Sequence, residues 1–249
     1  LNYSSRFNDQ VVSDFADSYL KGETPIPCVK CNQTVKFIDM YNYAKKIGAS
    51  ALATGHYIRR KIKNNVPQMY RAIDLSKDQS YFLFATTREQ LSFLRFPIGG
   101  LKKNETRDMA VKFNLKVANK PDSQDICFVP QGKYSDLLRK LRPNSVLPGD
   151  IIHVDGTKIG RHNGIIDYTV GQRKGIMIGG RRGIPEDESK LYVIKIDSEK
   201  NSIVVGSRKN LGCRQVEVKD CNWINETKKN FIEAFVKLRN TSELLRAKL

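Results

Sequence analysis

Helical and strand-like patterns alternate between residues 33 and 141, and this alternation limits the fold more than any other feature of the chain. Apolar residues at helical spacing predict a helix over residues 33–47, and short apolar runs predict strands over residues 50–54 and 125–129. Further helices are predicted over residues 79–86, 89–94, 105–113 and 134–141. Helices that alternate with strands are typical of an α/β fold with a parallel or mixed sheet.

The pattern changes after Pro143. Strands are now predicted over residues 150–154, 192–197 and 202–206, and from about residue 211 only strand-like segments follow. Between them, residues 158–183 hold seven of the 17 glycines and six basic residues, against a single acid, Asp167. The chain is therefore expected to contain an α/β domain over residues 1–133, a small central α+β or β domain over residues 134–208, and the start of a β domain over residues 209–249.

The charge of the chain indicates a polyanionic partner. Among 249 residues, 43 Lys and Arg stand against 26 Asp and Glu, which gives a net charge of +17 and a pI near 9.7. Nucleic acid is the usual partner of such a protein, although a merely soluble basic protein is the alternative. The mean hydropathy is −0.46, and no apolar run approaches the roughly 18 residues that span a bilayer. No signal peptide is expected either.

The cysteines predict reduced thiols rather than a disulfide scaffold, because their number is odd and no export signal precedes them. They are Cys28, Cys31, Cys127, Cys213 and Cys221. Cys28 and Cys31 form a CxxC pair, which fits a zinc site, a thioredoxin-like redox motif or two inert core residues. A fourth interpretation is a nucleophile, since a thiol before a helix and near Lys30 and Lys36 has a lowered pKa.

Three other segments carry polar groups where a ligand would bind. Cys127 follows the largely polar residues 120–125, which favours a site at a strand end over a buried core thiol. Gly55 and His56 end a predicted strand, where a glycine lets a ligand approach the backbone, unless they form a plain turn. Residues 77–79 combine a cation with hydrogen-bonding groups, or else form a solvated helix start.

The glycine-rich basic segment, residues 158–183, fits contact with a phosphate backbone. Its glycines let the chain come close, and its Arg and Lys side chains neutralise phosphates. Tyr168 and Arg173 would stack on or grip an RNA loop. A solvated loop region is the alternative.

Eight motifs, in chain order, resemble those of the tRNA 2-thiouridylases, the MnmA/TrmU family. The first is residues 24–32 (TPIPCVKCN), followed by Lys36 and Phe37. The others are residues 53–57 (ATGHY), 77–83 (KDQSYFL), 96–99 (FPIG), 122–128 (DSQDICF), 148–150 (PGD), 160–164 (GRHNG) and 168–173 (YTVGQR). So many matches in the same order are not expected by chance.

The resemblance implies a Rossmann-like PP-loop domain of the adenine nucleotide alpha hydrolase type, a central tRNA-recognition domain and a C-terminal β-barrel. It implies an enzyme that uses ATP, with Mg²⁺, to adenylate the C2 oxygen of the wobble uridine in certain tRNAs. A persulfide sulfur then displaces AMP and leaves 2-thiouridine. The implied partners are tRNA and a sulfur-donor protein, either a cysteine desulfurase or a sulfur-relay protein, in the cytoplasm and without a membrane.

The resemblance also implies roles for single residues. Cys31 is the nucleophile and Cys127 the persulfide carrier, and the two form a disulfide as sulfur is released. Gly55 contacts ATP, and no residue is assigned to a metal. The residues implied to contact tRNA are Ile26, Pro27 and Cys28, which line the target base, together with His56, Lys77, Asp78, Gln79, Arg239 and Asn240.

The chain departs from the family pattern in four places. It lacks an SGGVDSS-type PP-loop and most of the barrel, so we expect truncated or unresolved ends and no nucleotide binding by this chain alone. Cys28 stands where many members have an acidic residue. Arg239 and Asn240 stand where many have Arg-Tyr, which removes a ring that stacks on RNA. Two rival classes remain, a non-catalytic RNA-binding module and a CxxC zinc-binding structural protein.

Overall fold

A computed structural model describes residues 1–121, 126–129, 134–176, 178, 190–225 and 231–249. The chain forms two compact units. Unit 1 consists of Leu1–Pro27 and Asp125–Val218, and unit 2 consists of Cys28–Gln124 and Lys219–Leu249. The predicted α/β class is confirmed, whereas the predicted domain limits and the C-terminal barrel stay predictions.

The helices are α1 (residues 4–20), α2 (residues 27–46), α3 (Arg88–Phe93), α4 (Lys103–Lys112) and α5 (Tyr134–Leu141). The middle parts of α1 and α2, Asn8–Val12 and Asn32–Met40, are π-helical. The strands are β1 (Leu52–Ala53), β2 (Ile58–Lys63), β3 (Val66–Arg71), β4 (Leu94–Arg95), β5 (Gly149–His153), β6 (Lys158–His162), β7 (Tyr192–Asp197), β8 (Ser202–Gly206), β9 (Glu233–Val236) and β10 (Leu245–Lys248). In the described ranges, every helix is too short or too polar to cross a bilayer.

Unit 1 is built on a four-stranded mixed sheet with the order β6-β5-β8-β7. β5 and β8 are parallel, and the two outer pairs are antiparallel. The inward-facing residues Ile151, Val193 and Ile203 are fully buried, and α1 packs Phe15 in the same core. Gly149 allows the close approach of the strands, because a Cβ there would lie 1.9 Å from the Asn201 carbonyl oxygen.

Unit 2 combines a short parallel pair with two antiparallel hairpins. β1 pairs with β4, β2 with β3, and β9 with β10. Asn64 and Asn65 have φ angles of 51° and 59°, as a two-residue hairpin turn between β2 and β3 requires. The core of the unit holds the buried residues Phe37, Ile58, Leu83, Leu91, Leu94 and Phe96.

The sequence predicted several elements correctly and others wrongly. The helix over residues 134–141 and the strands over residues 192–197 and 202–206 are confirmed. The predicted strand at residues 125–129 is wrong, because Ile126 to Val129 form a turn in which the Val129 N–H donates to the Ile126 carbonyl, 3.0 Å away. The helix predicted over residues 79–86 is reduced to a 3₁₀ turn at Ser80–Leu83.

Candidate functional site

The cysteine pair lies within the first two turns of α2. The helix begins at Pro27, where a fixed φ suits helix entry and the missing N–H costs no hydrogen bond. Cys28 is exposed, and Cys31 is half-buried. The prediction that Cys31 precedes the helix is therefore wrong, since the helix begins at Pro27 rather than at Gln33.

Two contacts tie α2 to the motifs that follow it in the chain. The Asn32 side chain donates from Nδ2 to the Phe82 carbonyl oxygen at 3.1 Å. The Phe37 ring meets the His56 ring edge to face, with centroids 5.9 Å apart. Asn32 is 3% exposed, and its Oδ1 has no hydrogen-bond partner among the residues that the structure describes. Unit 2 thus holds Asn32, the residue after Cys31, against the 3₁₀ turn at Ser80–Leu83, and Phe37 against His56.

His56 is a buried, neutral imidazole. Its Nδ1 lies 2.8 Å from the Thr54 hydroxyl oxygen, and the residue is 8% exposed. Burial, and after it the positive charge of Lys36, lowers the pKa of His56 from 6.5 to about 4. Any contact of this side chain with tRNA therefore uses a hydrogen bond and not a positive charge.

The depressed pKa of His56 makes stability depend on pH in a defined window. Above about pH 6.5 the imidazole is neutral in both the folded and the unfolded chain. As the pH falls toward 4, the unfolded chain binds the proton first, so the folded state loses stability. We expect a loss of roughly 2 kcal/mol between neutral pH and about pH 5, and most of it should disappear in His56→Gln. Urea unfolding at a series of pH values measures this, and an equal slope in both proteins would contradict it.

Asp78 holds the loop between β3 and the 3₁₀ turn together. Its carboxylate accepts a hydrogen bond from the Ala72 N–H at 2.9 Å and another from the Ser80 hydroxyl at 2.7 Å. The Arg71 guanidinium lies 3.4 Å away, and only 5% of the Asp78 side chain is exposed. These bonds occupy the carboxylate within the protein, so its predicted contact with tRNA stays a prediction.

Gln79 forms two hydrogen bonds with the backbone of Tyr57. Its side-chain Oε1 accepts a hydrogen bond from the Tyr57 N–H at 2.9 Å, and its own N–H donates to the Tyr57 carbonyl at 3.0 Å. Lys77 is half-buried beside it. The predicted contacts of Lys77 and Gln79 with tRNA stay predictions.

The predicted contacts near the C-terminus lie beside the same loop. Arg239 and Asn240 are exposed in the turn between β9 and β10. The Tyr81 hydroxyl donates to the Leu238 carbonyl oxygen at 3.1 Å, which holds this turn against residues 77–83. Unit 2 therefore brings together two segments for which the resemblance implies contact with tRNA.

Cys127 belongs to unit 1 and is exposed. The next residue, Phe128, is clamped edge to face between the rings of Phe7 and Phe15, with centroids 5.7 and 5.4 Å away. This clamp fixes the turn and leaves the thiol at the surface. The sequence analysis did not predict this contact of Phe128. Its sign in the sequence is the aromatic residue next to the cysteine. Residues 122–125 of the same motif lie outside the described residues.

The remaining predicted positions differ in exposure. Gly55 is exposed at the carboxyl end of β1, where open α/β sheets bind ligands. Ile26 is half-buried and Pro27 is buried. Tyr168 is 6% exposed in the core of unit 1, so its predicted stacking on RNA is wrong. Its ring packs against His162, with centroids 5.8 Å apart.

Comparison with known proteins decides the family. Residues 1–131 match the family model described as "tRNA methyl transferase HUP domain", and residues 135–207 match the one described as "tRNA methyl transferase PRC-barrel domain". A relative from Rhodospirillum centenum, named tRNA-specific 2-thiouridylase MnmA, is 53% identical over all of this chain. The chain belongs to the MnmA tRNA 2-thiouridylase family. The resemblance inferred from the motifs is therefore confirmed.

Two further members of the MnmA family have the same name. The relative from Rickettsia massiliae is 52% identical and the one from Brucella ovis is 50% identical, each over 97% of this chain. The chain spans 64% of the Rhodospirillum protein, 65% of the Rickettsia protein and 60% of the Brucella protein. The matched part includes both cysteines, Cys31 and Cys127, and both compact units.

Proposed function

We propose that this chain forms part of a tRNA-uridine 2-sulfurtransferase, an enzyme that replaces the C2 oxygen of the wobble uridine by sulfur. One observation carries the proposal. MnmA proteins named as tRNA-specific 2-thiouridylases are 50–53% identical to this chain over 97–100% of its length. The positions of Cys31 on α2 and of Cys127 at the surface of unit 1 are compatible with two reactive thiols.

The two thiols would divide the sulfur chemistry between them. Cys127 carries a persulfide received from the donor, and its terminal sulfur attacks C2 of the activated uridine while the C2–O bond breaks. The Cys31 thiolate then attacks the Cys127 Sγ and breaks the sulfur–sulfur bond. This releases 2-thiouridine and leaves a Cys31–Cys127 disulfide, which two electrons from an external thiol reduce again.

ATP, when bound, supplies the adenylyl group that turns the C2 oxygen into a leaving group. Gly55 fits a contact with such a ligand, because it is exposed at the carboxyl end of β1. Among the residues that the structure describes, a Cβ at this position would meet only the Ile98 Cδ1 atom, at 4.0 Å. The protein has space for a larger side chain at this position. The close approach of a ligand would therefore explain why residue 55 is a glycine.

Gly55→Ala is expected to separate ligand binding from stability. The added methyl group has room in the protein, so the melting temperature should stay within about 2 °C of the wild type. The same methyl group would stand between the backbone and ATP, so the KM for ATP should rise by about tenfold or more. Thermal unfolding and thiolation kinetics of the complete gene product at varied ATP measure the two effects. A large fall in melting temperature with an unchanged KM would contradict this role.

The positive charge and the compartment complete the proposal. A net charge of +17 supports a tRNA substrate bound largely through its phosphates. A protein donor would deliver the persulfide, and the cytoplasm would keep the five cysteines reduced between turnovers.

Thiolation of unmodified tRNA tests the proposed function directly. The complete gene product is incubated with ATP, a persulfide donor and tRNA transcript, and the nucleosides are analysed by mass spectrometry. 2-Thiouridine at the wobble position is expected. A methylated nucleoside would instead support the activity in the family model's description, and tRNA binding without any product would support a non-catalytic RNA-binding module. Stoichiometric zinc bound to Cys28 and Cys31 would support the structural alternative.

A further inference from the structure

A buried amide side chain directly follows the proposed nucleophile Cys31 in α2. Asn32 is 3% exposed, and its Nδ2 donates to the Phe82 carbonyl oxygen at 3.1 Å. Phe82 belongs to the 3₁₀ turn Ser80–Leu83, which lies in a later motif of the chain. The sulfur chemistry proposed above gives this side chain no role.

An amide is a costly side chain at this position. The Asn32 Oδ1 is also buried, and within the described ranges of the chain it has no hydrogen-bond partner. A buried acceptor without a partner costs at least as much free energy as one hydrogen bond returns, whereas an apolar side chain of similar size avoids that cost. Stability alone therefore does not explain an asparagine here, and its one bond, to Phe82, points to a role in placing α2.

The 3₁₀ turn that receives this bond is itself fixed. Asp78, just before the turn, accepts a hydrogen bond from the Ser80 hydroxyl at 2.7 Å. Leu83 ends the turn in the core of unit 2 and is 1% exposed. The Phe82 carbonyl is thus a fixed point against which Asn32 holds the helix.

A second side chain fixes α2 to a different neighbour. The Gln90 Nε2 donates to the Phe37 carbonyl oxygen at 2.6 Å, and the Gln90 Oε1 accepts from the Thr87 N–H in the capping box of α3. Asn32 and Phe37 both lie in the π-helical part of α2, and π-helical turns are rare and frequently occur at functional sites. The helix is therefore held at both residues, and the Asn32 bond is the one next to the Cys31 thiol.

We propose that Asn32 is a positioning residue for sulfur release, because its bond to Phe82 keeps the Cys31 thiol in place within unit 2. The inference rests on the proposed function. In the release step the Cys31 thiolate bonds to the Cys127 Sγ, and the bond between that Sγ and the transferred sulfur breaks. The electron pair leaves on the sulfur of 2-thiouridine, whose N3 regains a proton from water. Such an exchange needs the attacking sulfur in a set position, and a misplacement of about 1 Å costs up to about a hundredfold in rate.

Single-turnover thiolation by the complete gene product tests this role. The protein is loaded with persulfide and mixed with ATP and unmodified tRNA in the absence of dithiothreitol, and AMP and 2-thiouridine are followed over time. Asn32→Leu should release AMP at the wild-type rate, whereas 2-thiouridine should appear at least about tenfold more slowly. Its melting temperature should stay within about 3 °C of the wild type, because leucine removes the buried Oδ1 together with the bond to Phe82.

Thr34→Val is the matched control. Thr34 also lies close to Cys31 in α2 and is 9% exposed, but its hydroxyl donates to the Lys30 carbonyl oxygen, at 2.8 Å, within the helix itself. Valine keeps the shape of the side chain and removes only this bond. Both rates should therefore stay within about twofold of the wild type.

Three outcomes would overturn the proposal. Asn32→Leu would form 2-thiouridine at the wild-type rate, or it would slow AMP release as much as sulfur release, which would mark a general structural role. Thr34→Val would slow sulfur release as much as Asn32→Leu does. Failure of the proposed function is a separate result, in which the wild-type protein itself releases no AMP and makes no 2-thiouridine, and the role of Asn32 falls with it.

Discussion

Cys127→Ser is expected to abolish 2-thiouridine formation, with a fall in rate of at least about a thousandfold. A serine hydroxyl cannot carry a persulfide, so no sulfur reaches the activated uridine. Binding of tRNA and thermal stability should be retained, because Cys127 is exposed and its neighbour Phe128 anchors the turn. Mass spectrometry of the tRNA nucleosides measures the product.

Cys31→Ser should fail at a different step, which makes the two thiols distinguishable. Without the second thiol, the bond between the Cys127 Sγ and the transferred sulfur is not broken. A covalent protein–tRNA adduct that dithiothreitol releases should therefore accumulate. Cys213→Ser and Cys221→Ser are the matched controls, since both thiols are exposed and belong to neither motif. Undiminished thiolation by Cys31→Ser or Cys127→Ser in the absence of dithiothreitol would contradict the assigned roles.

Asp78→Ala is expected to lower the free energy of unfolding by about 3 kcal/mol, measured in urea. The substitution removes the acceptor of the Ala72 N–H and the Ser80 hydroxyl from a site that is almost fully buried. Asp78→Asn keeps one acceptor oxygen and should cost clearly less. Asp108→Ala is the control, because Asp108 is exposed on α4 and its loss should cost less than about 0.5 kcal/mol.

The same variant decides between two roles for the Lys77–Gln79 loop. If the Asp78 carboxylate mainly organises the loop, the stability falls and tRNA affinity falls with it as the loop loosens. If Asp78→Ala keeps the wild-type stability and still loses tRNA affinity, the carboxylate contacts the RNA directly. That result would contradict the structural role argued from its hydrogen bonds.

Elements governed by local chemistry could be predicted from the sequence. The β2–β3 hairpin follows from two asparagines that accept positive φ between strand-like runs, and β7 and β8 follow from two short apolar runs on either side of a turn. The family could be recognised from its motifs, because those motifs hold the residues that fix loops, as Gln172 does.

Features that depend on contacts between distant parts of the chain could not be predicted. The apolar run around Cys127 has the composition of a strand, but Phe7 and Phe15 of α1 clamp Phe128 and the segment turns instead. Asp78 looks like a polar surface residue until its bonds to Ala72 and Ser80 are seen. Such roles depend on contact partners that a local sequence pattern does not identify.

A single turnover without reductant is the most direct measurement of the central claim, that Cys31 and Cys127 together transfer one sulfur atom. The protein is loaded with persulfide, mixed with ATP and unmodified tRNA, and digested under conditions that preserve disulfides. We expect one Cys31–Cys127 disulfide, found by peptide mass mapping, for each 2-thiouridine formed. Formation of 2-thiouridine while both cysteines remain thiols would contradict it.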